Sequence, residues 1–195
     1  LEATNSTFNG WTSYAATLGD VKFDRCSFGE GQGYAFCRPY APTEFVECDF
    51  ANGYEIDPVA AVTFKNCTID GVALTAANVA TLVTSNLDKV TSVNGYTQVD
   101  GLWINEGTAI VTSPDKVQAA FDNSEIHTIY LNSGKYVVDM YNGTAERESL
   151  TIIGTEGTQF AHSATKEGQL LLNKFNRFTI RNCEISKREG GNKYW

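Results

Sequence analysis

Three successive stretches carry rings and polar partners: Trp11 and Tyr14, then Tyr34, Arg38 and Tyr40, then Tyr54. Flat aromatic rings beside an arginine and carboxylates are the chemistry that stacks on sugars and hydrogen-bonds their hydroxyls. Trp11, Tyr14, Arg38, Tyr40 and Tyr54 are therefore the candidate ligand-binding residues, on condition that they point outward. The structural alternative is a core role for the rings, with Arg38 paired to Glu55 or Asp57.

Acid chemistry has less to work with. A glycoside hydrolase needs two carboxyl groups across a bound sugar, and Glu47 with Asp49 is a sterically acceptable pair. A calcium cage needs six to eight oxygens. The outward slots that would have to supply them read Thr7, Ser27, Asp49, Thr68, Glu184 in one column and Glu2, Lys22, Glu44, Thr63, Thr179 in another, and neither stacks carboxylates. His127 and His162 stand beside no nucleophile, and Gly154-Thr-Glu-Gly157 lacks the Lys-Ser/Thr of a phosphate loop. No catalytic residue, metal site or cofactor is assigned.

What must position the rings is a repeat. Val21-Lys-Phe23-Asp-Arg-Cys26-Ser-Phe28, Thr43-Glu-Phe45-Val-Glu-Cys48-Asp-Phe50 and Val62-Thr-Phe64-Lys-Asn-Cys67-Thr-Ile69 share one frame. Leu1 to Phe8 fits it with Ser6 in the cysteine slot, and Phe178-Thr-Ile180-Arg-Asn-Cys183-Glu-Ile185 is a later copy. Ser6, Cys26, Cys48 and Cys67 are 20, 22 and 19 residues apart. Apolar residues alternate, skip two positions and alternate again, so the inward face survives a corner at which Asn66 and Asn182 sit; Asn tolerates left-handed backbone. Turns follow at Asn9-Gly10, Gly29-Glu30-Gly31, Asn52-Gly53 and Asp70-Gly71, and Tyr34-Ala-Phe36 or Tyr54-Glu-Ile56 closes the coil. Such a coil cannot bury its own inward face, so coils must stack. Cys26, Cys48 and Cys67 then form an interior column of small apolar groups, free rather than disulfide-linked, and Phe23, Phe45 and Phe64 a central one.

These phrases resemble the right-handed parallel β-helix repeats of the pectate-lyase-like superfamily. Gly33-Tyr34 leading to Arg38-Pro39-Tyr40, then Cys48-Asp-Phe50 and Ala73-Leu-Thr-Ala-Ala-Asn-Val79, is similar to uncharacterised repeat proteins of gut bacteria and their phages. The resemblance spans most of residues 1–80 and implies the fold. Its members include lyases, hydrolases, adhesins and tailspikes, so it implies no single activity.

Beyond the repeats, Thr75 caps a predicted helix through Val83 that ends the first stack. Val93-Asn-Gly-Tyr96, Val99-Asp-Gly-Leu102 and Asn105-Glu-Gly107 are hairpin turns of an antiparallel meander. Ser113-Pro114-Asp115 starts a second helix with Val117, Ala120 and Phe121 on its apolar face. Strands Thr128–Leu131, Tyr136–Val138, Leu150–Ile152 and Leu170–Leu172 lead to the last repeat copy. The expected organisation is all-β: β-helix coils with a capping helix over 1–87, an antiparallel β linker over 88–112, and a capping helix with β-helix coils over 113–195. Open coil edges would expose unpaired backbone, which points to a segment of a longer protein or to ends covered by each other or by neighbouring chains, with end-to-end self-association as one route.

Bulk composition narrows the partners. A formal net charge of −8 with no Lys/Arg cluster denser than Lys187-Arg188 argues against nucleic acid, and no apolar stretch is long enough for a membrane span. The preferred expectation is a non-catalytic extracellular or cell-surface module, an adhesin or spacer that presents a side face to glycans or another protein. The alternatives are a carbohydrate-active enzyme of this fold, a polysaccharide lyase or glycoside hydrolase, and a phage tail receptor-binding fragment.

Overall fold

Three successive corners of the chain are closed by a thiol. Cys26 Sγ lies 3.5 Å from the carbonyl of Ala3, Cys48 Sγ 3.5 Å from that of Phe23, and Cys67 Sγ 3.3 Å from that of Phe45. The same thiols also reach the carbonyls two residues back, Asp24, Val46 and Lys65, as the Ser6 hydroxyl reaches Thr4. A small side chain with a weak donor fits this slot because it satisfies corner carbonyls without filling the core. All three are buried and free, and hydrogen bonding to Cys67 together with burial pushes the Cys48 thiol up, so it stays protonated and unreactive.

The structure is a computed structural model and describes residues 1–10, 12–14, 19–138, 145–162 and 175–185. It is a β-solenoid of stacked parallel coils. The chain divides into two compact units, Leu1–Gln98 and Val99–Trp195.

In the first unit one sheet runs Glu2–Thr4, Val21–Asp24, Thr43–Val46, Val62–Lys65, each strand parallel to the next and paired without slip. A second stacks Thr7–Asn9, Ser27–Gly29, Asp49–Phe50 and Thr68–Ile69, and a third stacks Thr12–Tyr14, Phe36–Pro39 and Glu55–Ile56. In-register stacking puts like residues on like. Phe23, Phe45 and Phe64 form one ring column at 5.3 Å spacings, and Phe8, Phe28 and Phe50 form a second at 5.1 and 5.0 Å. The columns meet edge to face, the arrangement aromatic quadrupoles favour.

The corner between the first two sheets is left-handed in every copy: Asn5, Arg25, Glu47, Asn66 and Asn182 have φ of 50° to 55°. Asn suits this conformation, whereas Arg25 and Glu47 are held there by their neighbours at some cost. Coil-to-coil bonds do the holding, as in Arg25 N–H to the Val46 carbonyl at 2.8 Å and Glu47 N–H to that of Lys65 at 2.7 Å. Replacing Glu47→Asn should therefore raise stability by about 1 kcal/mol, the left-handed penalty relieved. A urea midpoint equal to or below that of the parent protein would contradict this.

After the fourth coil, Val72–Ala73 folds back antiparallel on Thr68–Ile69, covering that edge. The predicted helix from Thr75 shrinks to one 3-10 turn, Val79–Thr81. The β-branched Val79, Thr81, Val83 and Thr84 propagate a helix poorly, although the Asn78 side-chain oxygen caps the start of the turn by accepting the Thr75 N–H at 2.6 Å and the Thr75 hydroxyl at 3.1 Å. Leu74, Ala76, Val79, Leu82 and Val83 still bury themselves over the coil interior. Antiparallel strands Val90–Val93 and Tyr96–Val99 follow, turned at Asn94-Gly95 with φ of 47° and 88°.

The second unit begins with an antiparallel pair, Leu102–Asn105 and Thr108–Val111, and then stacks Thr128–Leu131, Arg147–Ile153 and Phe175–Arg181 in parallel on Thr108–Val111. Gly134–Val138, Thr158–His162 and Glu184–Ile185 make its second sheet. Pro114–Lys116 starts the second predicted helix as a 3-10 turn and Val117–Asp122 continues it as the only α-helix among the described residues, burying Val117, Ala120 and Phe121. Ser113 bonds Asp115 rather than capping the helix. The predicted strand Leu170–Leu172 lies outside the described residues.

Candidate functional site

The third sheet of the first unit is where the ring-bearing stretches meet, and its register decides which rings are usable. Phe36 pairs with Glu55 and Cys37 with Ile56, so Tyr54 stands level with Ala35 and not with Tyr34. A shift of one residue turns a side chain to the opposite face. Tyr34 is accordingly 63% exposed and Tyr54 only 1%. Tyr54 is thus corrected from candidate ligand residue to core residue, its ring packed at 5.8 Å from Phe28 and 5.9 Å from Phe50. Tyr14 pairs with Pro39 in the backbone ladder, and Trp11 lies outside the described residues.

Arg38 and Tyr40 are on the surface. Arg38 Nε and Nη2 both donate to Asp57 Oδ2, at 3.0 and 2.7 Å, and the guanidinium lies 5.2 Å over the Phe36 ring. Its pKa is raised by hydrogen bonding to the Tyr40 side chain first and to Asp57 second. The other Asp57 oxygen accepts from Asn86 Nδ2 at 2.8 Å, and Asn86 is held in left-handed backbone with φ 54°. Of the two partners considered for Arg38, Asp57 is the one it takes. The result is a fixed polar plate joining two coils to the segment that follows them. It offers the remaining guanidinium donors and the Tyr40 ring, 36% exposed. Both oxygens of its carboxylate, Asp57, are thereby engaged.

Other acids also have partners. Asp49 accepts from the Thr68 hydroxyl and, at 3.0 Å, from the Gly71 N–H, which ties it to the next coil. Glu47 is a corner residue, and Glu44 pairs with Lys22 at 3.8 Å. In the second unit Glu184 Oε2 accepts from Gln159 at 3.1 Å, and His127 is exposed. Among the described residues no three His, Cys, Asp or Glu side chains are grouped to hold a metal ion, and no helix is long and apolar enough to cross a membrane.

Sequence reasoning missed one feature next to the plate. The 22-residue interval between Cys26 and Cys48 exceeds that between Cys48 and Cys67 because Gly31 to Tyr34 forms a small side hairpin: Gly31 N–H meets the Tyr34 carbonyl at 2.8 Å and Tyr34 N–H the Gly31 carbonyl at 3.1 Å. Gln32 and Gly33, with φ of 56° and 85°, make its turn. The signal was present as Gly31-Gln-Gly33 and the longer interval.

Comparison of the chain with protein-family models, with curated proteins and with solved structures finds no match.

Proposed function

We propose that this chain is a non-catalytic β-helical module of the cell surface or extracellular space, an adhesin or spacer whose third-sheet side binds glycans. The observation that carries the reading is the state of Asp57. Both its oxygens are taken, by Arg38 and by Asn86, and Tyr34 and Tyr40, at the two ends of the strand Phe36–Pro39 that carries Arg38, reach solvent. A surface of exposed rings and guanidinium donors suits hydroxyl-rich ligands, and Asp57, already accepting from Arg38 and Asn86, is not free to act as an acid or base. Stacked coils suit presentation, because each outward residue repeats at a fixed spacing set by the ladder.

The test is to incubate the protein with pectins and other uronic-acid polymers, with and without a chelator, and to screen the same preparation on a glycan array. Binding that survives chelation, with no absorbance rise from new double bonds and no new reducing ends, is expected. A calcium-dependent absorbance rise lost in Asp49→Asn would replace the reading with a lyase.

A further inference from the structure

The side hairpin encloses one wall of an open groove of about 750 Å³, lined by Asn9, Gly10, Gly31, Gln32 and Tyr34. We infer that this groove is a binding site for neutral glycans, with the Tyr34 ring as its stacking platform and the Asn9 and Gln32 amides as its hydrogen-bonding groups. This deepens the glycan-binding reading above and rests on it.

The groove is built rather than incidental. Gly31 sits against the backbone of the preceding coil so closely that a Cβ there would lie 2.7 Å from the Asn9 carbonyl carbon and 2.8 Å from the Gly10 nitrogen. Only glycine permits that approach, which seats the hairpin on the first coil. Glu30 Oε1 accepts the Gly33 N–H at 2.5 Å and fixes the turn. Gly10 N–H bonds the Gly29 carbonyl at 2.9 Å, locking the floor. A tyrosine 63% exposed is thereby held on a rigid support, so little conformational entropy is lost when a ligand covers it.

Its chemistry selects the ligand. Among the described residues the lining has no charged side chain, and Asn and Gln amides each offer a donor pair and an acceptor, which matches sugar hydroxyls rather than a carboxylate or phosphate. The net charge of −8 further disfavours acidic polymers. The volume lies within the range of small-ligand sites and accommodates a short oligosaccharide, whereas a protein partner would need a far larger contact.

The experiment is a glycan array of neutral and acidic oligosaccharides probed with the parent protein, Tyr34→Ala, Tyr40→Ala and Tyr130→Ala, followed by titration calorimetry on the best neutral hit. Thermal melts of all four check folding, and because the three tyrosines are exposed they should coincide. The expected result is neutral-glycan binding that falls about tenfold or more in Tyr34→Ala, the worth of one stacked ring, falls by less in Tyr40→Ala, and changes less than about threefold in Tyr130→Ala. Binding that is lost in Tyr40→Ala and kept in Tyr34→Ala, or binding confined to acidic glycans, overturns the groove and leaves the glycan-binding reading standing. Binding to no glycan by the parent protein overturns both.

Discussion

Replacing Phe45→Ala should cost about 3–5 kcal/mol of stability, the range for deleting a fully enclosed ring. Phe45 is buried completely and touches rings on every side. Phe23 and Phe64 stack on its two faces at 5.3 Å, with interplanar angles of 13° and 10°, while Phe28 and Phe50 meet it edge-on at 5.6 and 5.4 Å. Truncation would open a cavity at the crossing of both columns, and the coils could not collapse into it because their spacing is set by the backbone ladder. Urea unfolding followed by far-ultraviolet circular dichroism measures the loss. A midpoint unchanged by the substitution would show that the ring columns are not what holds the first unit together.

That core was legible because stacking converts a repeat directly into contacts. Once Phe23, Phe45 and Phe64 occupy one slot of a shared frame, a parallel ladder without slip leaves them no arrangement except a column. The cysteine column followed from the same logic. The corner was readable at Asn66 and Asn182, where residue type agrees with backbone, and not at Arg25 and Glu47, where the ladder overrides residue preference. The helix predicted from Thr75 failed for a different reason, the poor helix propagation of β-branched Val79, Thr81, Val83 and Thr84, which apolar periodicity does not express.

The candidate site was read less well, and the errors trace to register. Tyr34-Ala-Phe36 and Tyr54-Glu-Ile56 read as equivalent closings of a coil, which made both tyrosines candidates. The side hairpin consumes residues in the second coil, so Ala35, not Tyr34, stands level with Tyr54. Alternation alone would have placed Tyr54 inward, two residues before the buried Ile56. The Arg38 to Asp57 pair was among the considered partners, but the second bond to Asp57, from Asn86, joins residues 29 apart across a loop whose path no local pattern gives.

The second unit holds a group that sequence patterning did not single out. Arg147 is only 8% exposed, and it faces backbone rather than a carboxylate. Its Nε donates to the Ala145 carbonyl at 3.3 Å, and its two terminal nitrogens donate to the carbonyls of Ile126 and Phe121. Phe121 lies in the helix Val117–Asp122, so the guanidinium shares a carbonyl of the helix end with the Ala145 N–H, 3.1 Å away, and joins it to the turn before Thr128–Leu131. The Phe175 ring lies 6.0 Å from the guanidinium carbon. Burial lowers the Arg147 pKa, and Asp122 opposes that shift.

Substituting Arg147→Met keeps the side-chain length and removes every donor. The Phe121 carbonyl keeps the Ala145 N–H at 3.1 Å and Ala145 is only half-buried, so the Ile126 carbonyl loses most, and a buried carbonyl losing its partner costs about 1–3 kcal/mol, the loss expected of the variant. Arg147→Lys tests whether charge or geometry matters: one ammonium cannot span three divergent carbonyls as a planar fork does, so lysine should recover only part of the loss. Hydrogen exchange should show the Val117–Asp122 amides opening faster in the methionine variant. A methionine variant within about 0.5 kcal/mol of the parent protein, the usual range for neutral surface changes, would show that these carbonyls find other partners and that Arg147 does not organise the entrance to the second stack of coils.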